Sequence, residues 1–181
     1  NRCNNWPDFP ISVSGATGGL IEDTVIICGG SRDSNKKLPS NECYSLTSEK
    51  VTLVTQMSFG RWKAGSIVFN DNTLWVTGGY HDLHTNILAS TEYVTVTETM
   101  LGPYLPMALQ YHAMVAINST CSMVIGGGVG YASTFFYDHN EGEWTIGPNL
   151  MQARFGHAAG IVTDEVTDEN FVAVTGGGLD S

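Results

Sequence analysis

The sequence predicts an all-β chain built of small antiparallel sheets that repeat along it. Pairs of glycine recur at a constant spacing, short runs of Val, Ile, Leu and aromatic residues precede each pair, and polar turn residues separate the runs. The 181 residues include 21 glycines but only 8 Lys and Arg, a composition that favours strands and tight turns over helices. A fixed period of this kind indicates one structural unit that is repeated several times.

The glycine pairs close one β-rich run in each of four repeats. Their first members lie 49 residues apart, and the pairs are Gly29 and Gly30, Gly78 and Gly79, Gly127 and Gly128, and Gly176 and Gly177. A backbone without Cβ turns sharply where a neighbouring sheet approaches, whereas a side chain at that point would collide. We therefore expect each pair to mark the same corner of its repeat.

Each repeat has room for four short strands, named a to d in chain order. Polar turns at 22–24, 70–73 and 118–120 separate strands a and b, and the Asn and Asp in them tolerate the left-handed backbone of a hairpin. Aromatic runs after three of the glycine pairs form strand c. This order is typical of the blades of a β-propeller. The expected blades are 14–55, 64–101, 112–147 and, incomplete, 157–181.

On these residues the chain resembles the kelch-repeat family. Beyond the glycine pairs, the resemblance depends on a Tyr in strand c, a Trp in strand d and an Arg before strand a. These residues are Tyr44, Tyr93, Tyr137, Trp144, Arg61 and Arg154. The first two blades lack the Trp of strand d, and two further positions depart from the family pattern, namely Leu109, where Arg is expected, and Ala64, where His is expected.

The resemblance implies a kelch-type β-propeller of four-stranded antiparallel blades. The ring would be incomplete over these residues, so that flanking sequence or another chain supplies the remaining blades. Tyr and Trp are expected to pack blade against blade because of their large apolar area. Arg61 and Arg154 are expected to join adjacent blades, since a guanidinium has five donors for backbone carbonyls.

Function in such an architecture lies in the loops. The b–c loops and the d–a connections would rim one mouth of the ring, and they contain the aromatic and basic residues that anchor protein interfaces. Our first hypothesis is a non-enzymatic protein–protein interaction module that binds through the loops at one face. The candidate partner-binding residues are Arg32, Asp33, Lys36, Lys37, Trp62, Tyr80, His81, Asp82, His84, Tyr111, Tyr131 and Phe155.

The alternative hypothesis is a galactose-oxidase-like or carbohydrate-binding extracellular propeller. Galactose oxidases resemble kelch propellers and need a Tyr cross-linked to Cys, two His and a second Tyr, a set that these blades do not assemble. His81, Asp82 and His84 lie in a long loop with no regular element to hold a metal, and the acidic segment 163–170 is better explained as a solvated hairpin loop. We therefore expect no catalytic residue, no metal and no cofactor.

The charge of the chain narrows the class of partner. The formal net charge is −10, and phosphate binding requires a cluster of Lys and Arg, so nucleic acid and anionic membrane surfaces are disfavoured. No apolar run approaches the ~20 residues of a membrane-spanning helix. The expected partner is a protein, and the sequence does not identify it.

Two features concern the cellular compartment. Cys28 and Cys43 lie on neighbouring strands of one hairpin, where they form either a disulfide or two buried thiols. Asn118 begins a triplet that matches an N-glycosylation acceptor, and it also suits an ordinary β-turn. Together these features favour a secreted or extracellular protein, with a cytoplasmic protein as the alternative.

Overall fold

A computed structural model describes residues 7–32, 39–82, 85–128 and 130–179. Over these residues the chain forms sixteen β-strands and no helix. In the described ranges, therefore, no helix has the length and apolar character to cross a membrane. The chain divides into two compact units, Asn1–Ala108 and Leu109–Ser181.

The first sheet of unit 1 is a four-stranded antiparallel meander. Its strands are β1 (Thr17–Ile21), β2 (Thr24–Cys28), β3 (Glu42–Leu46) and β4 (Val51–Gln56), hydrogen-bonded in chain order. β-Branched residues dominate β2 and β4, as is usual for a pleated and half-buried surface. A β-bulge interrupts the register between β3 and β4.

The second sheet of unit 1 repeats this meander. Its strands are β5 (Gly65–Phe69), β6 (Thr73–Thr77), β7 (Thr91–Val94) and β8 (Thr99–Leu101). Its first hairpin turns through Asn70 and Asp71, both left-handed at φ 51° and 57°. These are residue types that accept this conformation through local hydrogen bonding of the side chain.

The core of unit 1 is formed by residues from both of its sheets. Within a strand they lie two residues apart, as Ile26 and Cys28 or Leu74 and Val76 do, because successive side chains of a β-strand face opposite sides of the sheet. The buried cluster consists of Ile21, Ile26, Cys28, Cys43, Met57, Leu74, Val76 and Val94. Burial of this continuous apolar surface holds the two sheets together.

Unit 2 contains a third four-stranded meander. Its strands are β9 (Ala113–Ala116), β10 (Cys121–Ile125), β11 (Thr134–Asp138) and β12 (Glu143–Ile146). The prediction of an all-β chain with four-stranded antiparallel sheets is thus confirmed.

Four further strands follow in unit 2, two of them only two residues long. β13 (Arg154–Phe155) pairs with β16 (Gly178–Leu179), and between them β14 (Ala158–Thr163) pairs with β15 (Asn170–Thr175). Side chains of this hairpin complete an apolar cluster with the third sheet. The buried members are Val115, Met123 and Ile125, with Ala159, Val172 and Val174 among those packed on them.

The third glycine corner differs by one residue from the predicted pair. In the other repeats the corner begins with the glycine that directly follows strand b, namely Gly29, Gly78 and Gly176. In the third repeat β10 ends at Ile125, so the equivalent pair is Gly126 and Gly127 rather than Gly127 and Gly128. The spacing of the glycines could not reveal this, because three glycines occur in a row at 126–128.

Close approach of the backbone explains why Gly127 belongs to the corner. It has φ 91°, close to the 92° of Gly79, and a Cβ on it would lie 2.8 Å from the Gln110 carbonyl oxygen. A Cβ on Gly79 would likewise lie 2.9 Å from the Trp62 carbonyl oxygen. Both positions therefore exclude a side chain for the same two reasons, positive φ and nearby backbone.

The three tyrosines lie on strand c of their repeats, as predicted, but they do not share one position along it. Tyr44 pairs with Ile27, two residues before its glycine corner. Tyr93 pairs with Trp75, three residues before the corner, and Tyr137 pairs with Ser122, four residues before it. Because successive strand residues face opposite sides of a sheet, Tyr93 lies on the other face from its two counterparts.

Candidate functional site

Arg61, on the connection from β4 to β5, joins the glycine corners of the two sheets of unit 1. It is 1% exposed. Its backbone bonds to the first sheet: its N–H donates to the Ser40 carbonyl at 3.1 Å, and its own carbonyl accepts from the Gly30 N–H at 2.8 Å. Its Nη1 donates to the second sheet, at 3.0 Å to the Gly78 carbonyl and 2.9 Å to the Ser90 carbonyl.

A buried carboxylate completes this arrangement. Glu92 on β7 forms an ion pair with Arg61, with 2.7 Å between Oε1 and Nη2, and neither side chain is exposed to solvent. Glu92 also accepts the backbone N–H groups of Ser58 at 2.6 Å and Phe59 at 3.2 Å. Burial lowers the pKa of Arg61, while the charge of Glu92 and its hydrogen bond act in the opposite direction. The pair therefore fixes the loop at 57–61 against the second sheet.

Around this anchor the d–a and b–c connections form what we call the loop cluster. Its residues are Phe59, Trp62, Lys63, Tyr80, His81 and Asp82. Trp62 and Tyr80 form an antiparallel bridge, with N···O distances of 3.1 and 2.9 Å, and their rings lie 5.5 Å apart. The Lys63 ammonium lies 3.8 Å from the centre of the Trp62 ring, and a cation in this position is attracted by the ring face.

His81 and Asp82 are held by further hydrogen bonds in the loop cluster. The His81 Nδ1 lies 2.8 Å from the Gly60 carbonyl oxygen, which only accepts, so Nδ1 carries the proton. The Phe59 ring meets the His81 ring edge to face at 5.7 Å. The Asp82 carboxylate accepts the N–H groups of Thr85 and Asn86, both at 2.9 Å. Asp82 thus shapes its own loop.

The exposure of the loop cluster corrects one predicted contact residue. Trp62 is only 2% exposed, so it supports the cluster from inside and does not offer a contact surface. Phe59, Lys63, Tyr80 and His81 are half-buried and present their remaining surface to solvent. Phe59 was missed by the sequence reasoning, although its place two residues before Arg61 was a usable signal.

Unit 2 contains a comparable corner. The Arg154 Nη1 donates to the Gly176 carbonyl at 2.8 Å, and its own carbonyl accepts from the Gly127 N–H at 3.0 Å. Next to it the predicted contact residues Tyr111 and Phe155 lie edge to face at 5.8 Å. Both are half-buried, so the structure brings this predicted pair together.

The remaining predicted contact residues are scattered. The Arg32 guanidinium, 45% exposed, forms an ion pair with Glu42. Tyr131 is 38% exposed. Asp33, Lys36, Lys37 and His84 lie outside the described residues.

Two histidines are buried in unit 2 at the start of their strands. Burial, with a smaller contribution from His157, lowers the pKa of His112 to about 3. Burial also lowers the pKa of His157, with a further decrease from the Arg154 guanidinium, whereas the Ile125 backbone acts to raise it. Both imidazoles are therefore neutral near pH 7, which suits a buried position.

Of the two interpretations of the cysteine pair, the disulfide is observed. Cys28 and Cys43 are bonded across directly opposed positions of β2 and β3, with 4.1 Å between their Cα atoms. Both are buried. Disulfides of this kind are typical of oxidising compartments. Cys121 is a free thiol, and burial together with the Asp138 charge raises its pKa.

Within the described ranges, no group of three or more His, Cys, Asp or Glu side chains is placed to hold a metal ion. The acidic segment at 163–170 uses its first carboxylate to build its own turn. Asp164 accepts the N–H groups of Val166 at 2.7 Å and Thr167 at 3.1 Å, and these bonds lower its pKa.

Comparison with known proteins finds a likeness of fold but no family. No protein-family model and no curated protein matches the chain. Among solved structures, 160 chains match. One of them is the structure of YjhT, which superposes with a TM-score of 0.79 at 15% sequence identity, over 93% of this chain and 60% of that chain. The chain thus spans about 60% of the length of that relative, and the likeness concerns the fold alone.

Proposed function

We propose that the chain is part of a kelch-type β-propeller. Three successive four-stranded meanders and a further hairpin support this proposal, since each repeats the same strand order and the same glycine corner. The arginine that reaches from one corner to the carbonyls of the next, seen at Arg61 and Arg154, is the role that the family resemblance implies. A TM-score of 0.79 to a solved structure supports the fold.

We further propose that this propeller is a non-enzymatic module that binds a protein partner through the loop cluster. The observation that carries this proposal is the anchoring of the cluster. Arg61 and Glu92 fix its base in the buried interior of unit 1, so a partner would meet a surface that is already ordered. Preorganisation of this kind reduces the entropy cost of binding.

The chemistry of the cluster suits a protein interface. Phe59 and Tyr80 offer aromatic surface beside a cation on Lys63 and a carboxylate on Asp82. Aromatic side chains are enriched at interface hot spots, and polar or charged groups form the rim around them. The exposed sides of these residues, together with the surrounding loop positions Thr85 and Asn86, form the contact surface.

A matched pair of variants tests this proposal. A photo-crosslinking residue at the exposed position Asn86 captures and identifies the partner. The affinity of the purified partner is then measured by calorimetry for Lys63→Ala/His81→Ala and for the control Glu49→Ala/Lys50→Ala, which alters the exposed β3–β4 turn. We expect binding at least about tenfold weaker for the first variant, which corresponds to ~1.4 kcal/mol.

The control variant is expected to bind like the wild-type chain, and both variants to keep its melting temperature. Equal affinities for the two variants would show that the loop cluster is not the interface.

We propose a secreted or extracellular location for this module. The Cys28–Cys43 disulfide supports it, because such bonds persist in oxidising compartments and are rare in the cytosol. Mass spectrometry after alkylation of free thiols in protein from its native source tests it. The expected result is an intact disulfide, and quantitative alkylation of both cysteines would contradict it.

A further inference from the structure

The turn between β9 and β10 carries a sequence motif that the proposed function does not use. Asn118, Ser119 and Thr120 lie between the two strands, and Asn118 and Ser119 are exposed. The turn is closed by backbone bonds from the N–H groups of Ile117 and Asn118 to the Cys121 carbonyl, at 2.9 and 3.2 Å. The motif therefore sits on a defined and solvent-exposed hairpin.

Two residues of the motif, Asn118 and Thr120, are hydrogen-bonded to each other. The Asn118 Oδ1 accepts the Thr120 backbone N–H at 2.8 Å and the Thr120 hydroxyl at 3.0 Å. A backbone N–H only donates, so the carboxamide atom that faces it must be the oxygen. This assigns the orientation of the carboxamide, and neither bond uses its Nδ2 atom. The hydroxyl two residues further along thus contacts the amide from its oxygen side.

The position of the turn leaves room for a large substituent. Asn118 and Ser119 are exposed, and so are Glu22 and Asp71 in the corresponding turns of unit 1, although the Glu22 N–H donates to the Asp71 carbonyl at 3.1 Å. The turns at this end of the sheets are therefore open to solvent. Asn118 and Ser119 also lie at the far end of β10 from Gly126, so a substituent there leaves the glycine corner of that sheet uncovered.

We propose that Asn118 is a site of N-linked glycosylation. The donor would be a lipid-linked oligosaccharyl pyrophosphate. The Asn118 Nδ2 forms a bond to the anomeric carbon and loses one proton, while the bond from that carbon to the pyrophosphate oxygen breaks and the lipid pyrophosphate leaves. The acceptor pattern and the exposed turn fit this chemistry, and the Cys28–Cys43 disulfide fits the compartment in which it occurs.

The test uses the full chain behind a cleavable signal peptide in eukaryotic cells, with both cell extract and medium analysed. Because glycans are attached before secretion, the readout does not depend on export or on folding. We expect a mobility shift that peptide-N-glycosidase removes, with conversion of Asn118 to Asp detected by mass spectrometry. Asn118→Gln and Thr120→Ala should abolish the shift, and Thr120→Ser should keep it.

A gain-of-site variant controls for access to the transferase. Asn72→Thr creates an acceptor triplet that begins at Asn70, in the exposed turn between β5 and β6. An unshifted wild-type chain in cells that do shift the Asn72→Thr variant would overturn the proposal. A wild-type shift that survives Asn118→Gln would overturn it equally, because the glycan would then be elsewhere.

Discussion

At the scale of single residues, the molecule depends on a small number of buried polar groups. Arg61 and Glu92 are both removed from water, and each pairs with the other while bonding the backbone of a different segment. Only the role of Arg61 could be predicted from the sequence. An Arg before strand a was predicted to reach backbone carbonyls, but its carboxylate partner lies 31 residues further on and has no local signal.

The first prediction concerns the buried ion pair of Arg61 and Glu92. Glu92→Gln should lower the free energy of unfolding by about 3–5 kcal/mol, because it leaves the buried Arg61 charge without a counter-ion. Urea denaturation measures this loss. The control is Arg32→Met, which removes an ion pair exposed to water and should cost no more than about 1 kcal/mol. Equal losses for the two variants would contradict the burial of the first pair.

The second prediction concerns the pH dependence of stability that the buried His112 causes. Its pKa is about 3 in the folded chain against an ordinary value of 6.5, so the unfolded chain takes up a proton on acidification before the folded chain does. The stability that neutral His112 confers is complete above pH 6.5 and decreases as the pH falls towards 3. The slope for one such group is about 1.4 kcal/mol per pH unit.

Chemical denaturation between pH 6.5 and 5 checks this slope. His112→Gln should show a shallower decrease in unfolding free energy than the wild-type chain. His157 titrates in the same direction, because its pKa is also lowered, so part of the slope should remain in the variant. Identical slopes for the two proteins would contradict the burial of a neutral His112.

At the scale of strands and turns, the sequence predicted which segments become strands better than it predicted their register. The glycine spacing and the β-rich runs located the hairpins because both signals are local. Whether Tyr44 and Tyr93 face the same side depends instead on pairing between strands, and a displacement of one residue reverses the face. The sequence could not decide between a disulfide and two free thiols at Cys28 and Cys43, because two opposed cysteines also pack well as thiols.

The glycine corner of the third repeat makes a prediction at this scale. Gly127→Ala should destabilise the chain more than Gly128→Ala. A Cβ at Gly127 meets the Gln110 carbonyl oxygen at 2.8 Å, and backbone does not move aside easily. A Cβ at Gly128 meets the ring of Tyr131 at 2.6 Å, and this ring is partly exposed and free to rotate away.

Thermal unfolding of the two variants gives the comparison, with Gly142→Ala as the control. Gly142 also has a positive φ, of 73°, but the nearest atom to a Cβ there is 3.8 Å away, so this variant isolates backbone strain from collision. The expected order of destabilisation is Gly127, then Gly128, then Gly142. A larger effect at Gly128 than at Gly127 would restore the pair predicted from the sequence.

At the scale of the whole molecule, the same backbone contact between consecutive repeats occurs in each unit, close to the glycine corners. In unit 1 the Lys63 N–H donates to the Gly15 carbonyl at 2.8 Å, and in unit 2 the Gly156 N–H donates to the Tyr111 carbonyl at the same distance. These residues all have positive φ and lie two residues before strand a of their repeats. Repetition of one corner is what allowed the fold to be predicted. The loops that follow the corners differ between repeats, which is why the site could be predicted only in part.

The claim that function resides at the corner loops is tested most directly by hydrogen exchange. Exchange of backbone amides would be compared for the free chain and for the chain bound to its captured protein partner. We predict slower exchange in the complex at 58–63 and 80–82, with no change at the hairpin turns 22–24 and 70–73, at the opposite ends of the same strands. Slower exchange at those turns, with the loop cluster unchanged, would contradict the account.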